Sequence, residues 1–166
     1  MINQKKNFIL IIIFFIILLS IISTLIIEYT LGHQPCNLCL YERIPYFISI
    51  LLIIKIFFFK KYEKITLLIL FLVFIFSSLL AFYHFGIEQG FFSESFVCNV
   101  ENHSTILSKE QLLKKLNQNV VSCKDVTFRI LGLSLSAVNT ILSFLLSITF
   151  LKLFLNYGSN STSQYK

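Results

Sequence analysis

Four apolar runs, separated by short polar stretches, set the pattern of this chain. The first, Phe8 to Ile27, is broken only by Ser20, Ser23 and Thr24. As a helix it is about 30 Å long, the thickness of a bilayer core. Lys5 and Lys6 precede it as they would in a signal peptide, but it is longer than a normal h-region. No small-x-small cleavage site follows before Glu28, so the segment is expected to stay in the membrane. Ile44 to Phe59 is shorter, about 24 Å if straight, and needs the Leu40-Tyr41 turn to complete a crossing. Lys55 lies one turn from its far end, where it can snorkel to water. Pro45 either starts this helix or kinks one that begins near Pro35, and the pattern leaves both open. Lys60 to Lys64 is a tight polar turn, so the third run, Ile65 to Phe85, is expected antiparallel to the second. His84 and Glu88 follow at i and i+4 near its exit, and Gly90 ends the helix.

Phe91 to Phe128 is the one long polar segment. Within it Ser108-Lys109-Glu110-Gln111 forms a capping box, followed by an amphipathic stripe of Leu112, Leu113, Leu116 and Val120 suited to a membrane surface. Ile130 to Leu151 is the fourth run. Gly132, Ser136, Thr140, Ser143 and Ser147 recur along it every three or four residues, a small-residue stripe that admits a close neighbour helix. An ion path lined by Asn139 is the weaker reading, because no ionisable residue shares the stripe. The expectation is an all-α membrane protein, a four-transmembrane-helix bundle in one domain, residues 1–156. Its spans are 8–27, 44–59, 65–85 and 130–151, its outer loops 28–43 and 86–129, and its Ser/Asn-rich tail, 157–166, is expected to be disordered.

Composition agrees: hydrophobic residues make up 56% and charged residues 13%, the latter about half the usual share for a soluble domain. A net charge of +6 would suggest nucleic acid if the lysines formed a patch. They lie instead in the short segments that flank the apolar runs, which excludes nucleic-acid binding in favour of topology signals. Lys5, Lys6, Lys60, Lys61, Lys64 and Lys152 all fall on the side that holds both termini, whereas the short first loop carries only Arg43. The termini are therefore expected in the cytoplasm and all four cysteines outside, in an oxidising compartment.

Four cysteines allow three pairings. Cys36 and Cys39 are the natural pair of the first loop, which leaves Cys98 and Cys123 for the second. Loop-closure entropy gives roughly 3.5 kcal/mol for a Cys98–Cys123 bridge and about 2 kcal/mol for the C-x-x-C. The long-loop bridge could be structural; the short one is a poor staple and a good exchange site. A zinc tetrathiolate ranks below disulfide chemistry, because the second pair is not a C-x-x-C. On a helix, Cys36, Cys39 and Arg43 share one face, and a guanidinium one turn from the second sulfur would favour its thiolate.

Pro35-Cys36-Asn37-Leu38-Cys39-Leu40-Tyr41-Glu42-Arg43, Tyr83-His84-Phe85-Gly86-Ile87-Glu88-Gln89-Gly90 ahead of Cys98, and Gly132-Leu133-Ser134 after Cys123 together resemble the DsbB family of bacterial disulfide bond formation proteins. The resemblance covers nearly the whole chain. It implies an inner-membrane thiol:quinone oxidoreductase that reoxidises a periplasmic, thioredoxin-like dithiol oxidase (DsbA) and passes the electrons to ubiquinone or menaquinone. It further implies that Cys98 forms the mixed disulfide with the soluble partner, and that Cys123 then attacks Cys36. Cys39 is left as a thiolate against the quinone, with Arg43 stabilising it and polarising a quinone carbonyl. His84, at the outer end of the third span, is expected at the depth of Cys39, either hydrogen-bonding the quinone or satisfied by water or Glu88. Glu42 is read as a solvated or pairing carboxylate, and Tyr41 and Tyr46 as aromatic-belt residues. Two competing readings remain. One is a vitamin K epoxide reductase-like enzyme, in which the C-x-x-C normally comes late in the chain; the other is a non-enzymatic subunit with structural disulfides.

Overall fold

The computed structural model describes residues 2–30, 32, 35–93, 98, 123–124, 129–130 and 132–162. The expected capping box and amphipathic stripe of the long polar segment lie outside these. Four long helices make up most of what is described: α1 (Ile2–Tyr29), α2 (Asn37–Phe58), α3 (Glu63–Glu88) and α4 (Leu135–Thr162). A 3₁₀ turn, Lys60–Tyr62, joins α2 to α3.

No glycine or proline interrupts α1. Its hydroxyls are satisfied inside the helix, Ser23 donating to the Leu19 carbonyl and Thr24 to that of Ile21, both at 2.8 Å. Such back-bonding suits polar side chains in lipid, where water is not at hand. The proline question in α2 resolves as one continuous helix from Asn37 that carries Pro45 within it. The Pro45 carbonyl also accepts the Ser49 hydroxyl at 2.7 Å. At the end of α3, Gly90 takes φ +78°, the left-handed conformation that stops a helix. The chain then folds back, with Phe91 and Phe92 donating their N–H groups to the Gly86 carbonyl. A Cβ at Gly86 would meet the Phe92 ring at 2.2 Å, so any larger residue there would have to displace that ring.

Two corrections concern the fourth run. Arg129–Ile130 and Leu133–Ser134 form a small antiparallel hairpin, Arg129 opposite Ser134, with Gly132 at its turn at φ +84°. Helix α4 starts only at Leu135, capped by the Ser134 hydroxyl, which accepts from the Ala137 N–H at 3.3 Å. Gly132 thus belongs to the turn and not to the small-residue stripe. At the other end α4 is helical to Thr162, into the segment expected to be disordered.

Helices α1, α3 and α4 contain stretches long and apolar enough to cross a membrane, over Gln4–Tyr29, Glu63–Glu88 and Leu135–Asn156. α2 is not among these three; it carries Glu42, Arg43 and Lys55. Every helix contributes a stripe to one core: Leu10, Ile13, Ile17 and Ile21 from α1; Tyr46, Ile53 and Ile56 from α2; Leu67, Leu70 and Phe74 from α3; Leu146, Phe150 and Leu153 from α4. Phe74 stacks on Phe150 with ring centres 5.5 Å apart and receives the Tyr46 ring edge-on. Around this core the exterior is apolar, with Phe15, Leu19, Leu51, Phe76, Leu79 and Phe144 all exposed, while Ser49, Ser77, His84 and Ser143 are buried. Carbon outside and oxygen inside is the distribution of a lipid-embedded bundle.

The broadest helix contact joins α3 to α4. It is built from small residues on both sides: Ser77 meets Ser143 at 3.2 Å, and Ser78 donates to the Thr140 carbonyl. At one end of the bundle Lys6 of α1 pairs with Glu63 at the start of α3. At the opposite end a second buried cluster gathers Cys36, Leu38, Ile87, Cys98 and Cys123, with Cys39, Leu80 and Tyr83 packed against it.

Candidate thiol-exchange site

Cys36 is the N-cap of α2. Its extended backbone (φ −70°, ψ 164°) turns the thiol back over the first turn, where the sulfur accepts the Cys39 N–H at 3.3 Å. The two sulfurs lie 2.8 Å apart as free thiols, and Cys98 and Cys123 are joined in a disulfide. The four cysteines therefore sit together as a reduced vicinal pair beside an oxidised long-loop bridge. Cys36, Cys39 and His84 offer three donor atoms within 4.8 Å of one another, a set that could hold a metal ion. Two sulfurs on one tetrahedral zinc would stand about 3.8 Å apart, from bonds of about 2.3 Å. The observed sulfur spacing suits thiol exchange better.

α3 brings His84 to this pair, its Nε2 3.5 Å from the Cys36 sulfur. Its Nδ1 lies 2.6 Å from Glu42 Oε1, and the second carboxylate oxygen, Oε2, accepts from Asn139 Nδ2 of α4 at 2.6 Å. The Asn139 carbonyl oxygen in turn accepts from the Tyr46 hydroxyl, which also meets Ser143 at 3.1 Å. A second arm runs from His84 Nε2 to Glu88 Oε1 at 3.7 Å, and Glu88 accepts from the Ser136 hydroxyl. Three helices thus contribute to one buried polar track that ends at a thiol.

The track sets the two thiols apart. The Cys39 thiol hydrogen-bonded to it, and then the His84 imidazole, hold Cys36 down at about 4 against the opposing effect of burial. That same bond, burial, and the charges of Cys36 and Glu42 push Cys39 far above the ordinary thiol range. The Cys39 thiolate expected against a quinone belongs to a different state, with Cys36 bonded to Cys123. The guanidinium is engaged elsewhere: its Nη1 pairs with Glu28 Oε2 of α1 at 2.6 Å. Its Nε is buried without a hydrogen-bond partner among the described residues.

His84 is buried, facing Cys36 and Glu42, with Glu88 nearby. Glu42 is buried too; of its two readings, pairing agrees with its contacts and solvation does not. Tyr46 is buried in the core and hydrogen-bonded, whereas Tyr41 is exposed. Asn139 has no ionisable residue on its own stripe, but Glu42 of α2 supplies one across the helix contact. No sequence period could reveal this, because the partner lies on another helix.

A model of the family described as disulfide bond formation protein DsbB matches residues 6–153. The chain belongs to the DsbB family. It is thus a multi-pass membrane protein of disulfide bond formation. An uncharacterized protein of Rickettsia prowazekii (strain Madrid E) is 30% identical over 138 residues, which cover 82% of this chain and 80% of that protein. Within the DsbB frame the matched region contains all four cysteines, Arg43, His84 and the whole buried track.

Proposed function

We propose that this protein is a thiol:quinone oxidoreductase of the bacterial inner membrane, with its cysteines facing the periplasm. The Cys98–Cys123 disulfide takes two electrons and two protons from the dithiol of a thioredoxin-fold oxidase (DsbA-like) by way of a mixed disulfide at Cys98. The resulting Cys98/Cys123 dithiol exchanges with an oxidised Cys36–Cys39 pair, regenerating the outer bridge and leaving Cys36 and Cys39 reduced. A membrane quinone, when bound, accepts the pair's two electrons and two protons and leaves as quinol.

The observation that carries this reading is the contiguity of the two pairs, Cys36 packed in one buried cluster with Cys98 and Cys123 while held as a thiolate by its neighbours. Exchange requires the two pairs within reach of each other, and a sulfur with a low thiol pKa is a good leaving group when the outer dithiol attacks an oxidised Cys36–Cys39 pair. The orphaned Arg43 Nε–H fits an electron acceptor with carbonyl oxygens, since a buried donor without a partner is costly unless a ligand engages it. Arg43 would hold such a group, with Glu28 orienting the guanidinium from behind. A subunit with only structural disulfides would have no use for an acidified thiol on a buried histidine.

The test is steady-state quinone reduction by the purified protein with a reduced thioredoxin-fold donor. Arg43→Lys removes the planar fork and keeps the charge. One charge-assisted hydrogen bond, about 1.5–3 kcal/mol, corresponds to a quinone KM raised about ten- to a hundredfold. Wild-type protein that fails to reduce quinone would sink the proposal; an unchanged KM in Arg43→Lys would reduce Arg43 to an anchor.

A further inference from the structure

We infer that Asn139 of α4, held by Tyr46 of α2, is a positioning residue for thiol chemistry at Cys36: it fixes the Glu42 carboxylate, which in turn fixes the tautomer and aim of His84. The purpose of this device rests on the proposed thiol–quinone reading; its test does not.

Tyr46 is buried, with its ring edge-on to Phe74, and its hydroxyl donates to the Asn139 carbonyl oxygen. Ser143 adds a weaker contact to the same oxygen at 3.4 Å. With that oxygen taken, the amide can turn only its NH₂ group toward Glu42, and a carboxylate accepts and never donates. A flipped amide would set oxygen against oxygen at 2.6 Å. The remaining Glu42 oxygen then accepts from His84 Nδ1, which must carry the hydrogen. In the neutral ring Nε2 is therefore the lone-pair nitrogen, and it faces Cys36 Sγ. The Cys36 S–H proton can pass to Nε2 while Nδ1–H stays bonded to Glu42, giving a thiolate beside an imidazolium. This is the arrangement of nucleophile, base and orienting group that thiol and hydroxyl catalysis uses elsewhere, with an amide added behind the carboxylate.

The other charged or titratable groups around Cys36 are few. Cys39 on α2 contacts it directly, and Glu88 on α3 lies 3.7 Å from His84 Nε2. The Arg43–Glu28 pair joins α2 to α1, and Cys98 and Cys123 are bonded to each other. Among the described residues α4 brings hydroxyls and the Asn139 amide to this end, but no charge.

The experiment measures the thiol alone, with neither quinone nor partner. Full-length protein in detergent is reduced, and alkylation of Cys36 by iodoacetamide is followed against pH by peptide mass mapping. Asn139→Leu should move the Cys36 midpoint upward by about one pH unit, a tenfold loss of reactivity on the acid side. Glu42→Gln should move it at least as far, and the double variant no further, since both act through one chain. Asn139→Gln, which keeps the amide, should recover part of the shift. Tyr46→Phe keeps the core ring, removes only the anchoring hydroxyl, and should shift the midpoint in the same direction by less; it carries the test where Asn139→Leu does not fold. The inference is overturned by unchanged midpoints in Asn139→Leu and Tyr46→Phe, or by shifts that simply add in the double variant.

Discussion

His84 spends both ring nitrogens inside the protein, Nδ1 on Glu42 and Nε2 on Cys36. Its hydrogen bond and its charge both favour the Cys36 thiolate, so removing the ring must raise the thiol's pKa from about 4. His84→Gln is expected to move the alkylation midpoint of Cys36 upward by a unit or more, about 1.4 kcal/mol per unit. At mildly acid pH the variant's sulfur should therefore carry a smaller share of thiolate than the wild type's. Arg43→Lys should leave this midpoint where it is, because Glu28 and not the sulfur holds the guanidinium. Sequence reasoning found Cys36, Cys39, Arg43 and His84 as types in a plausible order. It could not rank the two thiols, since that ranking depends on contacts between α2 and α3, which lie 48 positions apart at Cys36 and His84.

At the scale of elements, the serine-rich stripe of α4 was legible because a helical period of small residues has few other uses in a membrane. Its counterpart was not: Ser77 and Ser78 look unremarkable within the apolar run of α3, yet they make the facing surface. Ser143 of α4 is fully buried in this contact, against Ser77 of α3 and within reach of Tyr46. Ser143→Leu should force the two helices apart and cost about 1–3 kcal/mol by overpacking, read as a lowered midpoint of unfolding in mixed detergent. Ser143→Ala should cost less, since it removes a hydrogen bond and adds no volume. The start of α2 was not legible for a different reason. Two prolines each offer an acceptable beginning; the Cys36 cap and the burial of Leu38 and Glu42 go with a start at Asn37.

Viewed whole, the bundle has two unlike ends, one with the Lys6–Glu63 pair and the lysines beside the α2–α3 turn, the other with the four cysteines. Lys55 and Lys61 lie over the Tyr62 ring at 6.0 and 5.7 Å, keeping their charge at the first end. That polarity was readable from composition along the chain, since lysines and cysteines never share a segment between helices apart from the long polar one. Under the proposed exchange order, Cys123→Ala deprives Cys98 of its resolving thiol. Its lone thiol should then open the disulfide of an oxidised thioredoxin-fold protein and stay joined to it, the partner's second cysteine leaving as a thiol, visible as a reducible band on a non-reducing gel. A band that persists in Cys98→Ala and depends on Cys36 would reverse the order.

The sulfur that caps α2 is also one that gains and loses electrons in the proposed cycle. Most helices keep their caps whatever the redox poise of their surroundings; this one does not. As a thiolate, Cys36 is a strong acceptor for the Cys39 N–H, and in a disulfide the same atom is a feeble one. The first turn of α2 should therefore tighten when the pair is reduced and fray when it is oxidised. Deuterium uptake at the Cys39 amide would then be slower in dithionite-treated protein than in the oxidised form, and equal uptake in the two would show that the helix end is indifferent to its electron count.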